Sequence, residues 1–305
     1  MSFIGLDIGG TTTHAVLCDD DLLVGAEASA PTPARSGAAA MLDGAARLVL
    51  RLRGQAVDTV HGVGVAAAGM LDPRSGRIVR ASDSFHGWEG TPVAAGLGER
   101  VDLPVVADND VNCFLIGEVA AGALRGVEDG VGITLGTGVG GALWSGGRIL
   151  HGRDGGAGEL GHLPGYGDEP CSCGRRGHLE TLAAGRSLLR RYLARGGTAA
   201  SAADVAAAAR AGDERAVEVF TDAARALGMT IVAATRLLAA DRVVVGGGVT
   251  GAWDLLAPVV HEVVAAHPPL FGPLPDIRLT ALGAAAVAVG AAALARLGCG
   301  TEVPA

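Results

Sequence analysis

Apolar and polar positions in this chain follow two periods in turn. Residues 3–7 are a short apolar run that ends in Gly9-Gly10-Thr11-Thr12-Thr13, and residues 15–18 resume the same pattern, which predicts a hairpin opening an α/β domain. Met41, Ala45, Leu48 and Leu52 then recur at helical spacing, predicting a helix over residues 38–52. Residues 60–68 and 104–107 read as buried strands, each after a helical or loop segment. A further apolar run, residues 130–143, is broken by Gly136-Thr137-Gly138-Val139-Gly140-Gly141. Residues 146–178 lose any period and are rich in Gly, Pro, Cys and His, so they predict irregular loop held by something other than a core. From 179 to 238 the pattern is helical, a strand at 242–245 runs into Gly246-Gly247-Gly248, and an Ala-rich helix closes the chain. Strands alternating with helices predict an α/β sheet protein. No solenoid-length repeat is visible, although three strand-to-glycine turns recur at wide intervals.

Composition narrows this picture. The 305 residues leave room for two lobes or one large α/β unit. Apolar residues make up 49% but aromatics only 3%, so the interior is built from Ala, Val, Leu and Gly, which favours close packing of helices on strands. The net charge of −8 with no basic block argues against DNA or RNA as a partner. All 24 basic residues are arginine, and lysine is absent. P-loop nucleotidases and protein kinases each hold nucleotide phosphates with a lysine. In this chain, backbone N–H groups, hydroxyls and metal must take over that work.

The cysteines, Cys18, Cys113, Cys171, Cys173 and Cys299, are odd in number, and the start lacks a secretory leader. They predict a reducing, cytoplasmic setting and a metal site in place of a disulfide framework. Residues 281–298 are apolar for nearly a membrane span, yet they are mostly Ala and Gly, carry Arg296 and have no aromatic anchors, so they predict a buried helix and no membrane partner.

Four constellations carry chemistry. Asp7 at a strand end is followed by Gly9, Gly10, Thr11, Thr12 and Thr13, a turn in which N–H groups and hydroxyls can approach phosphate oxygens while the carboxylate holds Mg²⁺ or its water. A polar hairpin tip has the same appearance. Gly136, Thr137, Gly138 and Gly140 form a second phosphate-sized turn, and Gly246, Gly247 and Gly248 follow a third strand; together they make the backbone clamp that a lysine-free chain needs. Asp108-Asn109-Asp110-Val111-Asn112 follows a strand directly, where open α/β sheets bind ligands and a carboxylate can take a proton from an attacking alcohol. Asp and Asn are equally the preferred N-caps of a helix, and both roles can hold at once. Finally, His162, Cys171, Cys173 and His178 lie in one glycine-broken stretch and can converge tetrahedrally on structural Zn²⁺.

The order of these motifs resembles the ROK sugar kinases, over nearly the whole chain from Asp7 to Gly251. The resemblance implies an actin-like ATPase (ribonuclease H-like) fold with two lobes around a cleft. The expected division is a smaller lobe of residues 1–110, with a C-terminal helix 285–305 packing back on it, and a larger lobe of residues 111–284 with the zinc-binding loop. It further implies that Asp7 to Thr13 and the turn at Gly136 hold the ATP phosphates, that Gly246 to Gly248 lie by the adenosine, and that Asp110 is the general base. Asn109, Glu159, His162 and Glu180 match residues that bond the sugar hydroxyls, and His162 also matches a zinc ligand. Two departures stand out. The family pattern C-x-C-G-x-x-G-C-x-E has a third cysteine where this chain has His178, so the site becomes Cys₂His₂. Where glucokinases resemble A-P-N-L-x-G-W, this chain offers Asp83 or Ser84 for the asparagine.

The expected activity is ATP-dependent phosphorylation of the 6-hydroxyl of a hexose. Glucose is the default acceptor, and a carboxylate at Asp83 points to 3-amino-3-deoxyglucose (kanosamine) through a charge-assisted hydrogen bond. Family resemblance favours a homodimer. The alternative is a sugar-sensing, non-catalytic regulator; such relatives carry a DNA-binding domain ahead of the kinase-like part, and the strand beginning by Phe3 leaves no room for one.

Overall fold

The computed structural model of the chain describes residues 1–72, 74–82 and 84–298. They fall into two compact units, one made of Met1–Gly126, Ile149–Ala157 and the described part of Thr280–Ala305, the other of Val127–Arg148 and Gly158–Leu279.

The first unit opens with strands β1 (Ser2–Ile8), β2 (Thr12–Cys18) and β3 (Val24–Pro31), then helix α1 (Ala38–Arg53) and strand β4 (Val60–Ala67). A small hairpin, β5 (Met70–Asp72) with β6 (Arg77–Arg80), leads to α2 (Val93–Val101), β7 (Val105–Asn109) and α3 (Asp110–Ala121). The main sheet runs β3-β2-β1-β4-β7, antiparallel on the hairpin side and parallel from β1 to β7. Met41, Ala45, Leu48 and Leu52, the periodic positions of α1, are all buried against Ile4, Leu6, Val63 and Val65 of the sheet or their neighbours in the same core.

The second sheet contains β8 (Gly130–Leu135), β9 (Val139–Ser145) and β10 (Arg148–Ile149). Helices α4 (Glu180–Ala183), α5 (Gly185–Ala194), α6 (Ala202–Arg210) and α7 (Glu214–Leu238) precede β11 (Arg242–Gly246), α8 (Trp253–Ala266) and β12 (Asp276–Leu279). Its order, β10-β9-β8-β11-β12, repeats the plan of the first sheet strand for strand, and β11 is parallel to both of its neighbours. Val131, Ile133, Val243 and Val245 form the floor on which Leu188, Phe220, Leu227 and Ile231 pack. The residues Gly248–Ala266 are long and apolar enough to cross a membrane. They also expose Asp254, His261 and Glu262, and α8 buries Leu256, Val260 and Val264, the pattern of a helix lying on a core.

The described chain closes with α9 (Ala286–Gly298), which belongs to the first unit. Gly5 and Gly64 face each other across β1 and β4, and α9 lies directly on them. A Cβ on Gly5 would come within 1.8 Å of the Ala288 carbonyl, and one on Gly64 within 1.7 Å of that of Ala291. On the helix's other side, a Cβ on Gly290 would come within 1.7 Å of the Cys113 carbonyl of α3. The low aromatic content therefore has a structural counterpart: α9 packs backbone to backbone and needs Ala and Gly to do it. Its apolar stretch is a buried helix, as the sequence predicts.

The division between units differs from the one expected at 110/111. It falls after Gly126, because α3 packs along α9, and residues 149–157 and the segment from Thr280 also belong to the first unit. Glu118, fully buried in α3, ties the end of that helix to the segment from Thr280 by accepting from Ala123 N (2.7 Å), Ala281 N (3.2 Å), Leu282 N (3.3 Å) and the Thr280 hydroxyl. The C-terminal helix expected over 285–305 is described as far as Gly298, and its remainder lies outside the described residues. Strands β3, β5 and β6 and helix α2 lie where the pattern predicted no element.

Candidate active site

In the first unit, the β1–β2 hairpin turn places Asp7 at the strand end and leaves Gly10, Thr11 and Thr12 exposed. The Gly9 N–H donates to the Thr12 carbonyl at 3.2 Å, which closes the turn. Thr13 behaves differently from its two neighbours: it is buried, and its hydroxyl pairs with that of Thr32 at 2.8 Å. Two of the three threonines thus present hydroxyls outward, and the third anchors the turn to β3.

The end of β7 leads directly into α3. Asn109 is the N-cap, with Oδ1 accepting from Val111 N (2.8 Å) and Asn112 N (3.3 Å) and Nδ2 donating to the Gly69 carbonyl at 2.9 Å. Asp110, the first residue of the helix, accepts from Val111 N at 3.0 Å. The cap and the aspartate expected to be the base are thus adjacent but separate residues. Burial, reinforced by the Asp110 charge, pushes the Asp7 carboxyl up to about 7. Burial also pushes the Cys113 thiol well up, with further contributions from Asp108, Asp110 and Asp7. Ser84 is exposed, and Asp83 lies outside the described residues.

In the second unit, the turn from β8 to β9 is closed by Gly136 N donating to the Gly138 carbonyl at 2.9 Å, with Thr137 exposed at its tip. Gly140 continues into β9, where it pairs with Thr134. Gly246 is buried at the end of β11, Gly247 packs on Leu135, and Gly248 is exposed at the start of a short 3₁₀ turn.

Glu180 is the residue whose surroundings depart most from expectation. It is buried, and its Oε2 accepts from Val139 N at 3.2 Å, while a Cβ on Gly138 would come within 2.5 Å of that same oxygen. Its Oε1 accepts from Ser172 Oγ at 2.7 Å and from the Arg186 guanidinium. Burial pushes this carboxyl up, but Ser172, Arg186 and the Val139 N–H outweigh it and hold the pKa below the usual range. The carboxylate expected to bind sugar thus also braces the turn between β8 and β9. Arg186 and Ser172 escaped the sequence reading because nothing in their spacing marks them as partners of residue 180.

The donor atoms of His162, Cys171, Cys173 and His178 lie within 4.8 Å of one another. Cys171 Sγ is 3.6 Å from His162 Nδ1, and Cys173 Sγ is 3.3 Å from His178 Nδ1. Tetrahedral zinc, with Zn–S of about 2.3 Å and Zn–N of about 2.0 Å, sets donor separations of roughly 3.3–3.8 Å, so the four residues fit it. His162 turns its other nitrogen, Nε2, to within 3.9 Å of the Glu159 carboxylate, so one ring can serve a metal and a neighbouring ligand at once. We expect about one zinc per chain and a Tm lower by more than about 5 °C after chelation, restored by zinc, because metal that binds only the folded form stabilises it. A Tm indifferent to zinc contradicts the assignment.

One more contact was not foreseen. His151 Nε2 donates to Asp108 Oδ2 at 2.7 Å, joining the strap of residues 149–157 to the end of β7. That hydrogen bond raises the His151 pKa against the opposing effect of burial. The two residues are 43 apart in sequence, and no local pattern links them.

Comparison with known proteins places these sites in a family. A glucokinase of Halalkalibacterium halodurans is 33% identical over 310 residues, covering 94% of this chain and 93% of the relative. An N-acetylmannosamine kinase of Citrobacter koseri is 35% identical over 264 residues, covering 86% and 88%. The crystal structure of a ROK family glucokinase from Streptomyces griseus, in complex with glucose and AMPPNP, superposes with a TM-score of 0.84 at 30% identity, covering 98% of this chain and all of that one (100%). The fold class implied by the motifs, the actin-like ATPase fold, holds. The ROK family profile matches residues 3–297, and the chain belongs to the ROK family.

Proposed function

We propose that this protein transfers the γ-phosphoryl group of ATP to the 6-hydroxyl of a glucose-like hexose, with Asp110 as general base. The observation that carries the reading is the carboxylate in the first turn of α3, close enough to Asp7 to raise its pKa, in a chain that contains no lysine. The names of its relatives, glucokinase and N-acetylmannosamine kinase, support a hexose or hexosamine acceptor, and the glucose and AMPPNP complex of the Streptomyces griseus protein supports the donor.

In this reading the sugar oxygen forms its bond to the γ-phosphorus as the bond from that phosphorus to the β-phosphate oxygen breaks, and the hydroxyl proton passes to Asp110. The N–H groups and hydroxyls at Gly9 to Thr12 and at Gly136 to Gly138 hold the phosphates, so catalysis is positioning and electrostatics. Asp7 would hold the Mg²⁺ that accompanies ATP, or its water, and the ion would supply positive charge to the phosphate oxygens. Gly247 and Gly248 border the adenosine. The free N–H of Asn109, together with Glu159 and His162, bonds the hexose hydroxyls. Glu180 acts on the phosphate turn through Val139. ATP as donor fits a cytoplasmic setting.

The test is ADP formation with glucose, N-acetylmannosamine, 3-amino-3-deoxyglucose and no sugar, reading kcat/KM for each. We expect sugar-dependent ADP release with glucose preferred. A hexosamine preferred by more than about tenfold, or roughly 1.4 kcal/mol of differential transition-state binding, replaces the substrate but keeps the chemistry. No ADP with any of the sugars overturns the kinase reading in favour of a sugar-sensing regulator.

A further inference from the structure

Asp108 is a polar side chain in a buried place, where each of its oxygens needs a partner. It is only 4% exposed, and a buried carboxylate is tolerated only where hydrogen bonds replace the water it has lost. One of its oxygens, Oδ1, accepts from Asn109 N at 2.7 Å and from Asn112 Nδ2 at 2.8 Å. Those bonds staple the end of β7 to the first turn of α3 on either side of Asp110. The other oxygen, Oδ2, is held by His151 Nε2 at 2.7 Å. The strap that delivers His151 is itself closed by Ala157 N donating to the His151 carbonyl at 3.1 Å.

We propose that His151 is a positioning residue for the catalytic aspartate: by holding Asp108, it fixes the β7–α3 junction that aims Asp110. The inference rests on the reading of Asp110 as general base. The charges around the junction make the assignment specific. Asp7 on β1, Asp108 on β7 and Asp110 on α3 are all acidic, and His151 brings a ring nitrogen that hydrogen-bonds Asp108, whereas Arg153 on the same strap pairs with Asp154 and is largely exposed. Without His151, Asp108 Oδ2 loses its partner and can find another only by rotating. That rotation loosens the bonds to Asn109 and Asn112 and lets Asp110 move. A displacement of about 1 Å at a reacting group can cost about 10²-fold in rate, so the effect belongs in kcat.

The experiment compares His151→Ala, His151→Gln and His151→Glu with the wild type and with Asp110→Asn, reading kcat, hexose KM and Tm for each. We expect His151→Ala to lose at least about tenfold in kcat with hexose KM within about threefold, and His151→Gln, which keeps a donor for Asp108, to recover most of the loss. His151→Glu sets a second carboxylate against Asp108 and should fall at least about tenfold below His151→Gln, a comparison that stands even where the alanine variant fails to fold. Equal kcat for the glutamine and glutamate variants, or a drop in Tm with kcat unchanged, overturns the proposal. A normal kcat for Asp110→Asn instead sinks the general-base reading on which it rests.

Discussion

Asp110→Asn is expected to lower kcat by at least about 10²-fold while leaving hexose affinity within about threefold. The asparagine keeps the size of the side chain and an oxygen for the Val111 N–H, which Asp110 Oδ1 accepts at 3.0 Å, so the head of α3 should keep its geometry. What it lacks is a site for the hydroxyl proton, and that loss is felt only as the oxygen attacks. The variant also removes the charge that raises the Asp7 pKa, so Asp7 should ionise at lower pH and the turn should be less strained electrostatically, not more. Turnover near the wild-type value, measured as ADP release with saturating glucose, would remove Asp110 from the mechanism.

Gly64→Ala is expected to destabilise the protein by at least about 3 kcal/mol, or to prevent accumulation of folded protein, although it adds a single methyl group far from any reacting atom. Most overpacking is relieved by a side chain turning aside. Here the added carbon would meet the Ala291 carbonyl at 1.7 Å, main chain against main chain, with α9 pressed from its other side by Cys113 and Gly117 of α3 at Gly290. The helix has nowhere to retreat. Gly251→Ala is the control, since a Cβ there meets nothing within 4 Å, and it should change stability by less than about 0.5 kcal/mol. Urea unfolding of the two variants decides the matter: equal stabilities contradict the packing described for α9.

The elements legible in the sequence were a helix with one buried face and strands buried on both. Met41, Ala45, Leu48 and Leu52 mark α1 because the opposite side of that helix meets water, and the first hairpin and the strands β4, β8 and β11 announce themselves as apolar runs before glycines. Helix α3 does not, because Val111 to Glu118 are buried without a break and leave no period to read. Strand β3, with the sequence Val-Gly-Ala-Glu-Ala-Ser-Ala-Pro, has Val24 as its one β-branched residue and no aromatic, too little to mark a strand. The unit boundary was misplaced for a related reason: α3 belongs with α9, more than 160 residues later, and only packing reveals it.

The site followed the same rule. Residues of a local motif, such as Asp7, Asp110 and the clustered His162, Cys171, Cys173 and His178, could be singled out as candidates from spacing. Residues that act through contacts distant in sequence could not: His151 on Asp108, and Arg186 and Ser172 on Glu180, are joined by folding alone. Thr13 shows the converse, since a hydroxyl inside a phosphate-like motif is spent on Thr32.

The most direct measurement is the identity of the product formed by wild-type protein from ATP and glucose, read by phosphorus–proton correlation in NMR. The account predicts one new phosphate ester whose phosphorus couples to the protons on carbon 6, formed in step with ADP. Phosphorus coupled to the anomeric proton, or inorganic phosphate as the product with the sugar unchanged, would contradict it.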